Sequence, residues 1–227
     1  MWGKFYSMKY DFLYVLGDSF AWNDDVKEEE LFASLIADHY NLPLINKGAP
    51  GAGNNYIFRK AYKDCFNIDK GNPLVVLVYT SYIREETFAN NQNQPLIINT
   101  CPKEFHKDFT KVYYADHYNE PYLLRESLVR IKAIQTLLDF KNIDRIECFS
   151  LGGKDQWSDD LHKTAKQVTI SEFCMMDESL TSKAKDQSFT FINDVGTLSI
   201  GHPTVEGNRM LADWMIEKIE NLYKDNL

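Results

Sequence analysis

The chain has 227 residues, 44% of them hydrophobic and 14% aromatic, which excludes a disordered protein and allows one sizeable α/β domain with a proper core. Its 25 basic and 33 acidic residues leave a net charge of −8, with no basic block. That balance argues against nucleic acid or an anionic membrane as the main partner.

Met1 to Asp11 alternates aromatics with Lys4 and Lys9. It lacks the continuous apolar run and cleavage site of a signal peptide, so a cytoplasmic location is the expectation. The apolar run Phe12–Leu16 reads as a buried strand. It ends in Gly17-Asp18-Ser19, after which the chain turns toward a helix. A serine at a strand-to-helix turn exposes its hydroxyl and leaves its own N–H free. The hydroxyl can attack a carbonyl, and the N–H can hold the oxyanion that forms. The acidic run Asp24 to Glu30 is expected in the first turns of the next helix, where the macrodipole favours negative charge. Leu31, Phe32, Leu35 and Ile36 keep helical spacing behind it.

A second strand, around Pro43–Ile45, leads into the glycine loop Gly48-Ala49-Pro50-Gly51-Ala52-Gly53. Gly48 to Gly53 has the spacing of a phosphate loop, but Asn54 and Asn55 follow where Lys and Ser or Thr are required. A helix is expected from Asn54 to about Phe66. The strongly apolar stretch Leu74–Val78 reads as a central strand of a parallel sheet. It runs into Thr80-Ser81-Tyr82-Ile83-Arg84. Arg84 can bind an anionic substrate group or pair with a neighbouring acid, and the pairing is favoured.

Residues 87–120 read as an insert carrying Phe105, Phe109, Tyr113, Tyr114 and Tyr118. A long helix follows from about Pro121 to Phe140, then a fourth strand at Arg145–Ser150. Residues 152–185 read as an irregular connector with a short helix. A fifth strand is expected at Phe189–Ile192, and a final helix from about Thr204 to Tyr223. Strands alternating with helices at this spacing imply a three-layer α/β/α domain with a central parallel sheet of about five strands. All the loops singled out lie at strand C-terminal ends, where open α/β sheets place their sites.

The four cysteines, Cys65, Cys101, Cys148 and Cys174, are scattered. No ligand spacing suggests a metal, and buried free thiols are expected. The remaining histidines, His39, His106, His117 and His162, have no partners at telling spacing.

Gly17-Asp18-Ser19 near the N-terminus and Gly201-His202-Pro203 at a helix start near the C-terminus together resemble the SGNH (GDSL-type) hydrolases. The resemblance spans residues 12 to 222 but rests on short blocks. It implies a flavodoxin-like fold, Ser19 as nucleophile, His202 as general base, and no cofactor. The Asn-x-Gly-x-x-Gly pattern of the family is similar to Asn46 to Gly51, which makes Gly51 the oxyanion glycine. Two blocks depart from the family. Ser81 stands where the oxyanion asparagine is expected, with Asn54 as a further candidate donor. Ser199 stands where the family has the aspartate that orients the histidine. A backbone carbonyl, Ser199 itself or Asp194 are the alternatives for that task, and Asp194 is the side-chain candidate. Thr80-Ser81-x-x-Arg84-Glu85 is similar to divergent SGNH-like proteins of tailed phages. The resemblance therefore implies an esterase acting on a small-molecule or carbohydrate ester, an O-acetyl group among them. The alternative is an SGNH-fold binding or structural protein, virion-associated if phage-encoded, with reduced catalysis.

Overall fold

The computed structural model describes residues 9–67, 71–87, 96–98, 118–151, 157–168, 179–180, 191–192 and 202–223. Four strands form a parallel sheet: β1 (Phe12–Gly17), β2 (Leu44–Asn46), β3 (Pro73–Tyr79) and β6 (Asp144–Phe149). Their order across the sheet is β2-β1-β3-β6. β1 is therefore central, paired on one side with β2 and on the other with β3, with Tyr14 opposite both Ile45 and Val75.

Every residue of β3 is buried, as its unbroken apolar run requires of a strand covered on both faces. Alternation splits the strands' side chains between two cores. Leu13, Val15, Val76, Val78, Ile146 and Cys148 face one layer, made by α1 (Phe32–Tyr40) and the C-terminal helix, Val205–Tyr223. Tyr14, Leu16, Val75, Leu77 and Tyr79 face the other, made by α2 (Asn54–Asn67), α3 (Glu120–Phe140) and α4 (Asp159–Ala165). The C-terminal helix is α5. Each fully buried Leu or Val contributes roughly 1.5–3 kcal/mol of transfer free energy.

Local signals set the helix ends. Asn119 caps α3 by accepting the Tyr122 N–H at 3.0 Å, and Pro121 sits in its first turn. Asn41 ends α1 in the left-handed conformation, φ 53°. α1 has no cap from its own flanking residue. Asn208 of α5 supplies one, its Oδ1 accepting the Phe32 N–H at 3.0 Å.

The sequence-based expectations need two corrections. Asp24 to Glu30 does not open α1: only Glu28–Glu30 is helical, as a single 3-10 turn, and α1 begins at Phe32. The fifth strand, described at Phe191–Ile192 as β7, joins no described strand of the parallel sheet. It pairs antiparallel with β8, His202–Pro203. At the start of the 87–120 insert, β4 (Glu85–Thr87) pairs antiparallel with β5 (Leu96–Ile98). The insert's aromatics from Phe105 to Tyr114 lie outside the described residues, as do Cys101, Cys174, His106 and His117.

Candidate active site

The C-terminal ends of β1, β3 and β6 meet at one carboxylate. Asp18 is fully buried. Its Oδ1 accepts the Phe20 N–H at 3.0 Å, which shapes the turn after β1. Its Oδ2 accepts the Ser150 hydroxyl at 2.6 Å and the Arg84 guanidinium at 3.2 Å. Ser150 in turn donates its N–H to Tyr79 at 2.6 Å. Arg84 thus pairs with an acid, as expected, and that acid is Asp18, beside the serine.

Gly17 has to be glycine because β3 lies against it. A Cβ there would come within 2.6 Å of the Val78 Cβ and 2.9 Å of the Val78 carbonyl oxygen. This close approach sets where the serine turn leaves the sheet.

Ser19 follows at 7% exposure. Among the described residues neither its hydroxyl nor its N–H has a hydrogen-bond partner. Its carbonyl is held: Asn23, itself buried, donates from Nδ2 to it at 2.8 Å.

The glycine loop is laced onto the same turn. The Lys47 and Ala49 N–H groups donate to Val15 and Gly17 at 2.7 and 3.0 Å. Asn46 donates from Nδ2 to the Ala21 carbonyl at 2.8 Å and accepts the Gly48 N–H at 2.9 Å. Gly51 adopts φ 76°, a conformation open to glycine at little cost. Among the described residues its N–H is also without a partner.

Asn54 does something other than expected. Its amide donates to the Thr80 carbonyl at 2.8 Å and to the Ser127 hydroxyl at 2.7 Å, while its Oδ1 accepts the Thr80 N–H at 2.9 Å. Both amide hydrogens are committed, so the expectation of Asn54 as an oxyanion donor gives way to a clamp between α2, β3 and α3. Ser81 starts the turn after β3. Its carbonyl accepts the Arg84 N–H at 3.1 Å, and its Oγ receives a long contact from the Ile83 N–H at 3.4 Å. The Ser81 hydroxyl hydrogen keeps no partner among the described residues.

His202 stands at the start of the β8 segment, its ring edge-on to Phe20 at 6.3 Å between centroids. Asn208 anchors this segment by donating from Nδ2 to the Pro203 and Thr204 carbonyls, each at 3.1 Å. The histidine's Nδ1 contacts a carboxylate oxygen of Asp25. Asp194 and Ser199, the residues considered for that position from sequence, lie outside the described residues. Asp25 was missed because its acidic run was assigned to a helix dipole. The signal present in the sequence was an acid six residues beyond the serine. Asp24, Asp25, Val26, Lys27, Glu30 and Glu206 line an open depression of about 720 Å³ beside this pair.

No family model matches the chain, and no curated protein matches it in sequence. Solved structures do match in shape. The psychrotrophic esterase EstA from Pseudoalteromonas sp. superposes with a TM-score of 0.55 at 11% identity, over 94% of this chain and 99% of its own. A G-D-S-L family lipolytic protein from Veillonella parvula matches with a TM-score of 0.50 at 12% identity, over 90% and 96%. This is the SGNH/GDSL fold. A catalytic mutant of the acetylxylan esterase Axe2 from Geobacillus stearothermophilus shares it, with a TM-score of 0.52 at 11% identity over 92% and 94% of the two chains. At 11–12% identity the likeness is one of fold, and fold by itself does not carry chemistry.

Proposed function

We propose that this protein is a serine esterase that removes an acyl group, such as acetyl, from a carbohydrate or small-molecule alcohol. The observation that carries the reading is Ser19 at the end of the central strand. Its hydroxyl and N–H are both unengaged among the described residues, and His202 packs on the adjoining Phe20. The acetylxylan esterase among the structural neighbours supports the choice of an O-acetyl sugar.

In this mechanism Ser19 Oγ attacks the acyl carbon while its proton passes to His202 Nε2. The carbonyl π electrons move onto oxygen. The Ser19 and Gly51 N–H groups hold that oxyanion, and the Ser81 hydroxyl is the third donor. Collapse of the tetrahedral intermediate expels the alcohol, which takes the proton from His202. Water then attacks the acyl-enzyme and gives a proton to His202; collapse of this second intermediate breaks the bond to Ser19 Oγ, which takes the proton back from His202 as the acid leaves. Arg84 has a supporting part, as the counter-charge that keeps Asp18 in place under the serine.

A fluorophosphonate probe and a small activated ester test the reading together. Labelling at Ser19 and turnover are expected in the native protein, with both lost in Ser19→Ala. Labelling and turnover that persist unchanged in Ser19→Ala would overturn it. A native protein that does neither would favour a binding or structural role for the fold.

A further inference from the structure

We infer that Asp25 is the positioning acid for His202, so that nucleophile and orienting carboxylate both come from the loop after β1. The inference rests on the esterase reading for its catalytic meaning, and on geometry for the contact itself.

The carboxylate of Asp25 meets His202 Nδ1 across 177 residues of sequence. A carboxylate on Nδ1 favours the tautomer with the proton on that nitrogen. The Nε2 lone pair is then left to take the serine proton. Asp25 is also held from behind. The Asn23 side chain donates to the Ser19 carbonyl at 2.8 Å and accepts the Asp25 N–H at 3.0 Å. Asn23 is buried, so one rigid amide sets the spacing between the nucleophile's backbone and the backbone of the acid. From the other side, Asn208 ties the strand that carries His202 to the start of α1. Acid and base are each fixed to the loop-and-helix unit that begins with Ser19.

This arrangement explains how the position three residues before the histidine can be a serine. An orienting carboxylate approaching from the β1 loop makes one from the histidine's own loop unnecessary. Asp25 and His202 are about equally accessible, with side chains 29% and 30% exposed. Water therefore shares the contact, and its loss should cost less than removal of a fully buried triad acid. Among the described residues the other charges lining this side are Asp24, Lys27 and Glu30 from the same segment and Glu206 from α5.

The experiment compares Asp25→Asn, Asp25→Glu, Asp213→Asn and Asp194→Asn on a neutral ester, alongside nitrogen-15 NMR of the His202 ring. Asp25→Asn should lower kcat by about 10²–10³-fold with KM and melting temperature unchanged, since an amide facing Nδ1 favours the wrong tautomer. Asp25→Glu should restore part of the rate. Asp213→Asn, which removes the same charge at an exposed position of α5 away from the imidazole, should leave kcat alone. In the ring spectra, native His202 should carry its proton on Nδ1, and Asp25→Asn should shift it toward Nε2. Unchanged ring spectra in Asp25→Asn, or a kcat loss in Asp194→Asn with none in Asp25→Asn, would overturn the inference. The spectra need no turnover, so a protein with no esterase activity still decides whether Asp25 sets the tautomer.

Discussion

The hydroxyl of Ser150 donates a 2.6 Å hydrogen bond to the carboxylate of Asp18, 132 residues earlier in the chain. Asp18 comes from the end of β1 and Ser150 from the end of β6, with β3 between them in the sheet. The contact spans the site beneath Ser19 and shares its carboxylate oxygen with Arg84.

Removing either partner leaves a buried polar group short of a bond. Ser150→Ala should cost about 1–3 kcal/mol, since the buried Asp18 Oδ2 loses one of its two donors and keeps only Arg84. Asp18→Ala should cost about 3–5 kcal/mol, because Arg84, only 14% exposed, loses its counter-charge. Urea unfolding of the two variants gives both values. Two losses below about 0.5 kcal/mol would show that this contact does not hold the strand ends together.

Gly17→Ala should damage the site through the backbone. The added Cβ meets the Val78 Cβ and carbonyl oxygen and the Ala21 Cβ, all within 3.0 Å. Two of these are on the neighbouring inner strand β3, which is buried throughout and has no room to retreat. Overpacking of this kind costs about 1–3 kcal/mol. The relief has to come from the serine turn, so probe labelling at Ser19 should fall as well. A variant that melts and labels like the native protein would refute this account of the glycine.

Glu147 points to a pH effect unrelated to catalysis. Burial raises its pKa above the ordinary 4.5, and Arg145, Gln135 and Tyr79 only partly offset this. The Tyr79 hydroxyl and the Gln135 amide donate to it at 2.8 and 2.7 Å. A carboxyl with a raised folded pKa binds its proton more tightly folded than unfolded. Between 4.5 and the folded value, its contribution to stability therefore falls as pH rises. The stability of the native protein relative to Glu147→Gln should grow as pH drops from above the folded value toward 4.5. Unfolding at several pH values measures it, and a difference independent of pH would contradict the shift.

The rim beside His202 should discriminate by charge. Asp24, Asp25, Glu30 and Glu206 outnumber Lys27 there, on a protein of net charge −8. An anionic ester should show a higher KM than a neutral one of the same shape at low ionic strength. The gap should close as salt shortens the screening length toward about 3 Å near 1 M. A KM ratio that does not respond to salt would mean substrates approach by another route.

The alternation of apolar runs with helical spacing determined the α/β class from sequence alone. β1, β3, β6, α2, α3 and α5 fall within a residue or two of where those patterns put them. Gly17-Asp18-Ser19 and the glycine loop were legible because local backbone demands choose those residue types at strand ends, and His202 through the likeness of its Gly-His-Pro block to the SGNH hydrolases. Tertiary structure decided what short-range pattern does not encode. Asn54 looked like a free donor until its amide was seen clamped to Thr80 and Ser127. Asp25 looked like one charge in an acidic run until the fold brought His202 to it. Each of those partners lies on another element, and the sheet order and crossovers determine which loops meet. A side chain's chemistry is written in the sequence, but its partner is set by packing across distances that no local spacing records.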